Sequence, residues 1–589
     1  MPPLPNLDCN VRVGDALAGE GFAEPATLVG PPVVLARLRE RYARAAGARK
    51  APLRRALDRE ERRRAIAAID RRIAVLRNER RERVLALRSR DLFGGRGGTA
   101  TVSRGESLAL RRRATALRRE RQRLADGGAL PFSFPSHFGH VHARGGFPLI
   151  VGNPPWVRLH NIPPAERAAL RRRFVVFRDA AWSAGAERAR AGAGFAAQVD
   201  LAALFIERSL ALAATSGVVA LLVPAKLWRS LAGGGTRALL GREARLLRLE
   251  DWSEASCGFD AAVYPSVIVA TPSSGAPGEL RASVRRRSLV VEWSGTPESI
   301  CLDANDRASP WLLLPPDVRR ALDCVTAHGR PLADSPLGRP TLGVKCGCND
   351  AFVVERGPRD GSMVAVTQGE RRGHVEHHML RPLLRGDSVM AWRSQPTTAA
   401  IVWTHAPNGA PLTALAEGAA RWLAPSRRQL AARADMRGRR AWWSLFRTEG
   451  ATSSQHRVVW SDFGRQPRAA VIPAGDETVP LNSCYVLPCP DLDDALALAA
   501  LLNSGLAAAW LNTIAEPARG GWHRYLGWTI SLLPVPTDWP RAREILAPIA
   551  ERAVNGAPPS DLDLLDAVCR AYQLKHANVA PLLAWEHRS

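Results

Sequence analysis

The run Leu149-Ile150-Val151-Gly152 leads directly into Asn153-Pro154-Pro155-Trp156, and no other junction constrains this chain as much. A short apolar run ending in Gly-Asn-Pro-Pro reads as a buried parallel strand that stops abruptly at its carboxyl end. In open α/β sheets, ligands bind outside the carboxyl ends of strands. Pro154 and Pro155 lack N–H groups and have a fixed φ, so the loop is stiff and its carbonyls are free to meet a ligand. The Asn153 side-chain oxygen and the Pro154 carbonyl are two acceptors able to take both hydrogens of an amino group. On a ring such as adenine that nitrogen is a poor nucleophile, because its lone pair is delocalised, and two acceptors draw it towards tetrahedral geometry. Trp156 offers a flat face on which a base can stack, worth roughly 1–3 kcal/mol. That offsets much of the cost of taking one base out of a duplex. The same residues also read as a Pro-rich loop with a half-buried Trp.

The surrounding residues narrow the reading. Leu130-Pro131-Phe132-Ser133-Phe134-Pro135-Ser136-His137-Phe138 and Gly145-Gly146-Phe147-Pro148 lead into the loop. Downstream lie Val199-Asp200-Leu201, Phe205-Ile206-Glu207 and the apolar run Gly217 to Pro224. Further on come Leu342-Gly343-Val344-Lys345, Asn349-Asp350-Ala351-Phe352, Arg381 to Asp387, Leu501-Leu502-Asn503-Ser504 and Ile530 to Pro536. In this order the segments resemble the adenine-specific DNA methyltransferases of type IIG restriction–modification and related phage-exclusion systems. The resemblance covers most of residues 1–15 and 130–540. It implies that Asn153 and Pro154 hold the target amino group, Pro155 stiffens the loop and Trp156 stacks on a flipped adenine. In that family an aromatic near the third strand also meets the base, and Phe259 and Tyr264 are the positions able to do so; each also reads as a core aromatic. Gly14-Asp15-Ala16-Leu17 is similar to the family's third strand end, which implies that Asp15 meets the adenine of S-adenosylmethionine. Leu4 to Val11 looks like the strand leading into it.

Net charge enters the argument through its distribution. Of the 82 basic residues only four are lysine, Lys50, Lys226, Lys345 and Lys575, a bias that points to a GC-rich genome. Residues 37–125 carry 29 Arg or Lys against 10 Asp or Glu, so most of the +26 lies in this segment. Within it Ile66, Ile69, Ile73, Leu76, Val84 and Leu87 fall near a/d spacing. Gly94-Gly95-Arg96-Gly97-Gly98 interrupts the pattern, and Leu110, Leu117 and Leu124 follow seven residues apart. The spacing predicts an antiparallel coiled-coil arm, either a solvated charged hairpin or one that contacts the DNA backbone.

The expected fold is α/β: a partial Rossmann-like methyltransferase domain with a helical coiled-coil insertion, then a mixed α+β target-recognition domain. The length allows two to four domains. Residues 1–30 read as a partial cofactor-binding strand region, 31–128 as the Arg-rich hairpin and 129–275 as the methyltransferase core. Residues 276–329 read as a connector, 330–540 as the DNA target-recognition domain and 541–589 as a helical tail. A third strand is expected at Ala261 to Ala270. No apolar run approaches membrane-spanning length and no signal pattern opens the chain, so a cytoplasmic protein with no membrane partner is expected. The nine cysteines are scattered, and neither Cys346/Cys348 nor Cys484/Cys489 has zinc-site partners, so free thiols are expected and no metal. His374-Val375-Glu376-His377-His378 reads as a polar loop.

Two departures from the family matter. The Gly-rich loop that holds S-adenosylmethionine is expected before Asn153, yet only fourteen residues precede Asp15. Gly192-Ala193-Gly194-Phe195 and Gly94 to Gly98 do not follow apolar strands and are rejected as substitutes. The acid then Glu-x-Lys pattern of the type IIG nuclease is also undetected, so no cleavage activity is expected. The reading is therefore an adenine methyltransferase acting on double-stranded DNA and completed by a separate N-terminal methyltransferase polypeptide. The alternative is a catalytically silent specificity subunit or decayed fragment. Protein or RNA amino-group methylation uses the same loop, but the large C-terminal region argues against it.

Overall fold

The computed structural model describes residues 10–17, 33–88, 100–130, 132, 134–158, 161–188, 199–254, 264–273, 278–286, 289–433, 436, 441–518 and 521–587. A six-stranded mixed sheet organises the first half. Its strands are β1 (Phe147–Gly152), β2 (Ala213–Pro224), β3 (Ala244–Glu254), β4 (Pro265–Pro272), β5 (Leu280–Arg286) and β6 (Leu289–Gly295). The order across the sheet is β1-β2-β4-β3-β5-β6. β1 runs parallel to β2, with Ile150 opposite Val219 and Gly152 opposite Leu221. β4 is antiparallel to both β2 and β3, while β3 and β5 run parallel. The carboxyl ends of β1, β2 and β3 therefore share one rim of the sheet.

Val219, Leu221 and Val223 alternate into the core from β2, the period of a strand with one face covered. Helix Leu201–Leu212 covers it and links β1 to β2. β1 differs from expectation. It is parallel, but Leu149 is 58% and Val151 72% exposed. Among the described residues only β2 pairs with β1, so its other edge is open among them, and helix Phe134–His142 covers only the start of the strand, where Phe134 and Phe138 meet Phe147. β3 was not singled out in the sequence, because Arg245, Arg248, Glu250 and Asp251 break up its apolar run. The strand expected at Ala261 to Ala270 is β4, which begins at Pro265.

The Arg-rich segment forms α1 (Val33–Ala43), α2 (Lys50–Arg88) and α3 (Ala100–Ala125). At 39 residues α2 is about 58 Å long. Arg62 donates to the Leu124 carbonyl, Arg121 pairs with Asp70 and Arg83 with Glu106, so α2 and α3 run antiparallel. Ala65, Ile69, Ile73 and Leu76 meet Ala114, Leu117 and Leu124 in a small core of their own. At its root Glu61, 1% exposed, accepts from Arg12 at 2.8 Å and Arg39 at 2.6 Å. The glycine run at 94–98 lies outside the described residues, and residues 10–17 form a turn.

β5 and β6 come from the stretch read as a connector and extend the same sheet. The C-terminal half adds a second six-stranded sheet and a four-stranded one. Past its first turn helix Leu492–Leu502 is apolar on all sides, and Gly505–Ile514 is apolar but for Asn512 and Thr513, as suits helices buried almost all round. No single helix among the described residues is long and apolar enough to cross a membrane. Beyond residue 538 lie three helices, Trp539–Val554, Asp561–Ala571 and His576–His587. Leu546, Leu582 and Trp585 from them join Leu221, Trp228 and Trp311 in one continuous core. The segment read as a polar loop instead ends strand Arg371–Glu376 and turns into a 3-10 helix at His377–Met379; Glu376 accepts from the N–H groups of Gly418 and Ala419 and so caps helix Glu417–Leu423.

Candidate active site

The loop after β1 sits on the shared rim. Asn153 is exposed, Pro154 buried, Pro155 exposed and Trp156 half-buried. The Trp156 indole N–H donates to the Leu222 carbonyl of β2 at 3.4 Å, which fixes the ring against the neighbouring strand. Two residues on, Arg158 bridges to Asp200, and the Leu201 N–H donates to the Val157 carbonyl at 2.9 Å. Asp200 is 2% exposed and caps helix Leu201–Leu212 by accepting from the Ala202 N–H at 3.1 Å. Its second oxygen lies 3.0 Å from Lys226 Nζ. Lys226 opens the turn Lys226–Arg229 that follows β2, so this ion pair ties the β1 loop to the β2 turn.

The rim continues past β2. Ala225 N–H donates to the carbonyl of Tyr264, which is half-buried just before β4. Arg229 donates to Asp251 at 2.7 Å at the end of β3. From the C-terminal half, strand Glu516–Ala518 packs against Lys226–Arg229. Burial raises the Glu516 carboxyl above the usual carboxylate range, against the opposing pull of Arg524, Lys226 and Arg158.

Of the residues expected from sequence, Asn153, Pro154, Pro155, Trp156 and Tyr264 come together on this rim. Phe259 lies outside the described residues. Asp15 is exposed on a turn whose Leu17 carbonyl accepts from Arg173 at 2.9 Å, and its own carboxylate takes the Leu17 N–H. That turn is thus held on helix Pro164–Arg173, which follows the loop in the chain. S-adenosylmethionine needs a turn for its amino-acid end and an acid for its ribose as well as the contact implied for Asp15. Of these the described residues supply Asp15 alone, so they do not make up a pocket for this cofactor. The sequence missed Asp200, Lys226 and Glu516. The first two had a readable signal, an Asp just before a helix and a rare lysine just after a strand; Glu516 had none.

The chemistry of the rim is acceptor-rich. Asn153 and Pro155 are exposed beside the half-buried Trp156 ring, and Arg158 and Lys226 both meet Asp200 next to the loop.

A curated relative, the type II methyltransferase M.PaeR7I of Pseudomonas aeruginosa, is 23% identical over 451 residues, covering 74% of this chain and 71% of its own. The type IIL restriction-modification enzyme MmeI, solved in complex with DNA, aligns at TM-score 0.47 and 13% identity over 74% of this chain. The type IIG restriction endonuclease BpuSI aligns at TM-score 0.28 and 12% identity. The chain spans 56% and 54% of the lengths of those two structures. Residues 104–259, from within α3 through the Asn153–Trp156 loop and past β3, match the Eco57I restriction-modification methylase family.

Proposed function

We propose that this chain is the catalytic-loop and target-recognition part of an S-adenosylmethionine-dependent, adenine-specific DNA methyltransferase of a restriction–modification or phage-defence system. The observation that carries the reading is the Asn153-Pro154-Pro155-Trp156 loop at the carboxyl end of a parallel strand, with Trp156 pinned by Leu222. Asn153 Oδ1 and the Pro154 carbonyl accept the two hydrogens of the adenine amino group. Trp156 stacks on the extruded base, and Tyr264 borders the same rim. The methylated amine loses its proton to solvent, so no general base is needed. The residues of 330–540 read the DNA sequence, in the cytoplasm.

The open edge of β1 supports the need for a partner polypeptide that carries the rest of the cofactor site. On one face of the same strand the apolar side chains of Leu149 and Val151 are 58% and 72% exposed. The lone cofactor contact at Asp15 also favours a second reading, a silent DNA-binding specificity subunit. The deciding experiment incubates the chain and the polypeptide encoded upstream with labelled S-adenosylmethionine and unmethylated duplex DNA, then digests the product to nucleosides. N6-methyladenine that disappears with Asn153→Ala supports the enzyme. Methylation unchanged by Asn153→Ala supports the silent subunit, with the activity residing in the partner.

A further inference from the structure

Among the described residues only two aromatic side chains are exposed, Phe463 at 40% and Trp522 at 38%, and they stack on each other. Their ring centroids are 4.8 Å apart with planes 22° from parallel. Both belong to a small sheet in which Phe463–Gly464 pairs with Trp522–Arg524, and Trp522–Arg524 pairs with Glu516–Ala518. Phe463 stands opposite Arg524, so Trp522 is its diagonal neighbour on the same face. Every other described Phe, Tyr and Trp is buried or half-buried. Two large rings left together in water forgo burial worth about 25 cal/mol per Å2, which marks the pair as a surface awaiting a flat apolar partner.

The pair is mounted rigidly. Tyr525, fully buried beside it, has its hydroxyl between two acceptors, Asn512 Oδ1 at 2.7 Å and the Arg465 carbonyl at 2.9 Å, and donates its one hydrogen there. Its N–H donates to the Asp462 carbonyl, and its carbonyl accepts from the Trp460 indole. Arg524, opposite Phe463 and 3.6 Å from Asp462, is exposed, as are Arg465 and Arg468 on the segment that follows Phe463. The same sheet reaches the rim, since Glu516 lies within the field of Lys226 and Arg158. Trp522 is two residues along the strand from the Glu516–Arg524 pair, about 7 Å further out.

We propose that Phe463 and Trp522 form a base-stacking platform that takes the face of a nucleobase left unstacked when DNA is opened at the Asn153–Trp156 loop. This rests on the reading of DNA as the substrate. An aromatic face edged by arginines suits a base joined to a phosphate backbone, because the rings take the base and the guanidiniums its charge.

The test measures binding of the full chain to two single-stranded probes of equal length and charge, oligodeoxythymidylate and the same oligomer with its central bases replaced by abasic units. The native chain binds the base-bearing probe at least about five-fold tighter, the lower end of stacking one base on a ring. Phe463→Ala with Trp522→Ala erases the preference and leaves affinity for the abasic probe unchanged. Trp522→Phe keeps most of the preference, whereas Trp522→Leu, equally apolar, loses it, which separates stacking from a folding defect. Equal binding of both probes by the native chain, or a preference untouched by the double alanine variant, overturns the platform while the DNA reading stands. Failure to bind either probe overturns both.

Discussion

Asp200 serves two neighbours with one carboxylate, capping helix Leu201–Leu212 with one oxygen and holding Lys226 with the other. Asn caps nearly as well as Asp, and loss of a cap costs roughly 0.5–2 kcal/mol. Asp200→Asn is therefore expected to retain more stability than Asp200→Ala in urea denaturation, by about 1 kcal/mol. Equal losses would mean that Asp200 contributes through Lys226 alone. Acid sensitivity has a separate origin in two histidines. Burial, reinforced by Arg229 and Arg286, holds the His523 imidazole down at about 4, and burial with Arg39 and Arg144 does the same for His140. An unfolded histidine titrates near about 6.5. Between these values the unfolded chain holds more protons, so both histidines stabilise the fold fully above that pH and lose the contribution as pH falls towards 4. Thermal midpoints are expected to drop from pH 7 to pH 4.5, and His523→Asn should flatten the slope. The loop residues were legible because their chemistry is contiguous, with acceptor, stiffener and ring side by side in Asn153 to Trp156. Asp200, Lys226 and Glu516 meet only after the chain has folded, and Glu516 comes from the other half of the molecule.

Elements differ in how they are supported. The α2–α3 hairpin has a core of its own, so Leu117→Ala, a change that typically costs about 2–5 kcal/mol in a packed interior, acts on the hairpin. Hydrogen exchange should show α2 and α3 losing protection while β2 and β4 keep theirs. Loss of protection in both would show that the hairpin and the sheet unfold together. The period of Ile66 to Leu87 made α2 legible in advance, since local spacing decides a helix. The order of the sheet was not legible. β4 inserts antiparallel between β2 and β3, a pairing set by long-range contacts, and the charged residues of β3 masked its alternation. β1 was taken as buried because an apolar run carries no mark of whether a second neighbour is present. Val151→Lys, at a position 72% exposed, should shift the melting of the isolated chain little. If the proposed partner polypeptide covers this face, the same change should abolish methyl transfer by the proposed pair; full activity would show that nothing docks over Val151.

At the scale of the molecule one core runs from the six-stranded sheet through helices Leu492–Leu502 and Gly505–Ile514 to the last helix. The stretches read as a connector and a tail lie within this core, because amphipathic helices such as Asp561–Ala571 give no sign in sequence of where they dock. Removing residues after 540 strips Leu546, Leu582 and Trp585 from the interior. The truncated chain is expected to lose cooperative unfolding and to aggregate; a sharp thermal transition retained after truncation would contradict a shared core. The open edge of β1 has a directional consequence. A strand added parallel to β1 ends at the same rim as Gly152, so the turn that follows it opens over Asn153. Two copies of this chain joined through β1 by a two-fold axis must instead run antiparallel, which sends each loop to the opposite end of a merged sheet. Strand polarity thus acts as an address, separating a partner that completes the rim from a self-pairing that closes it off.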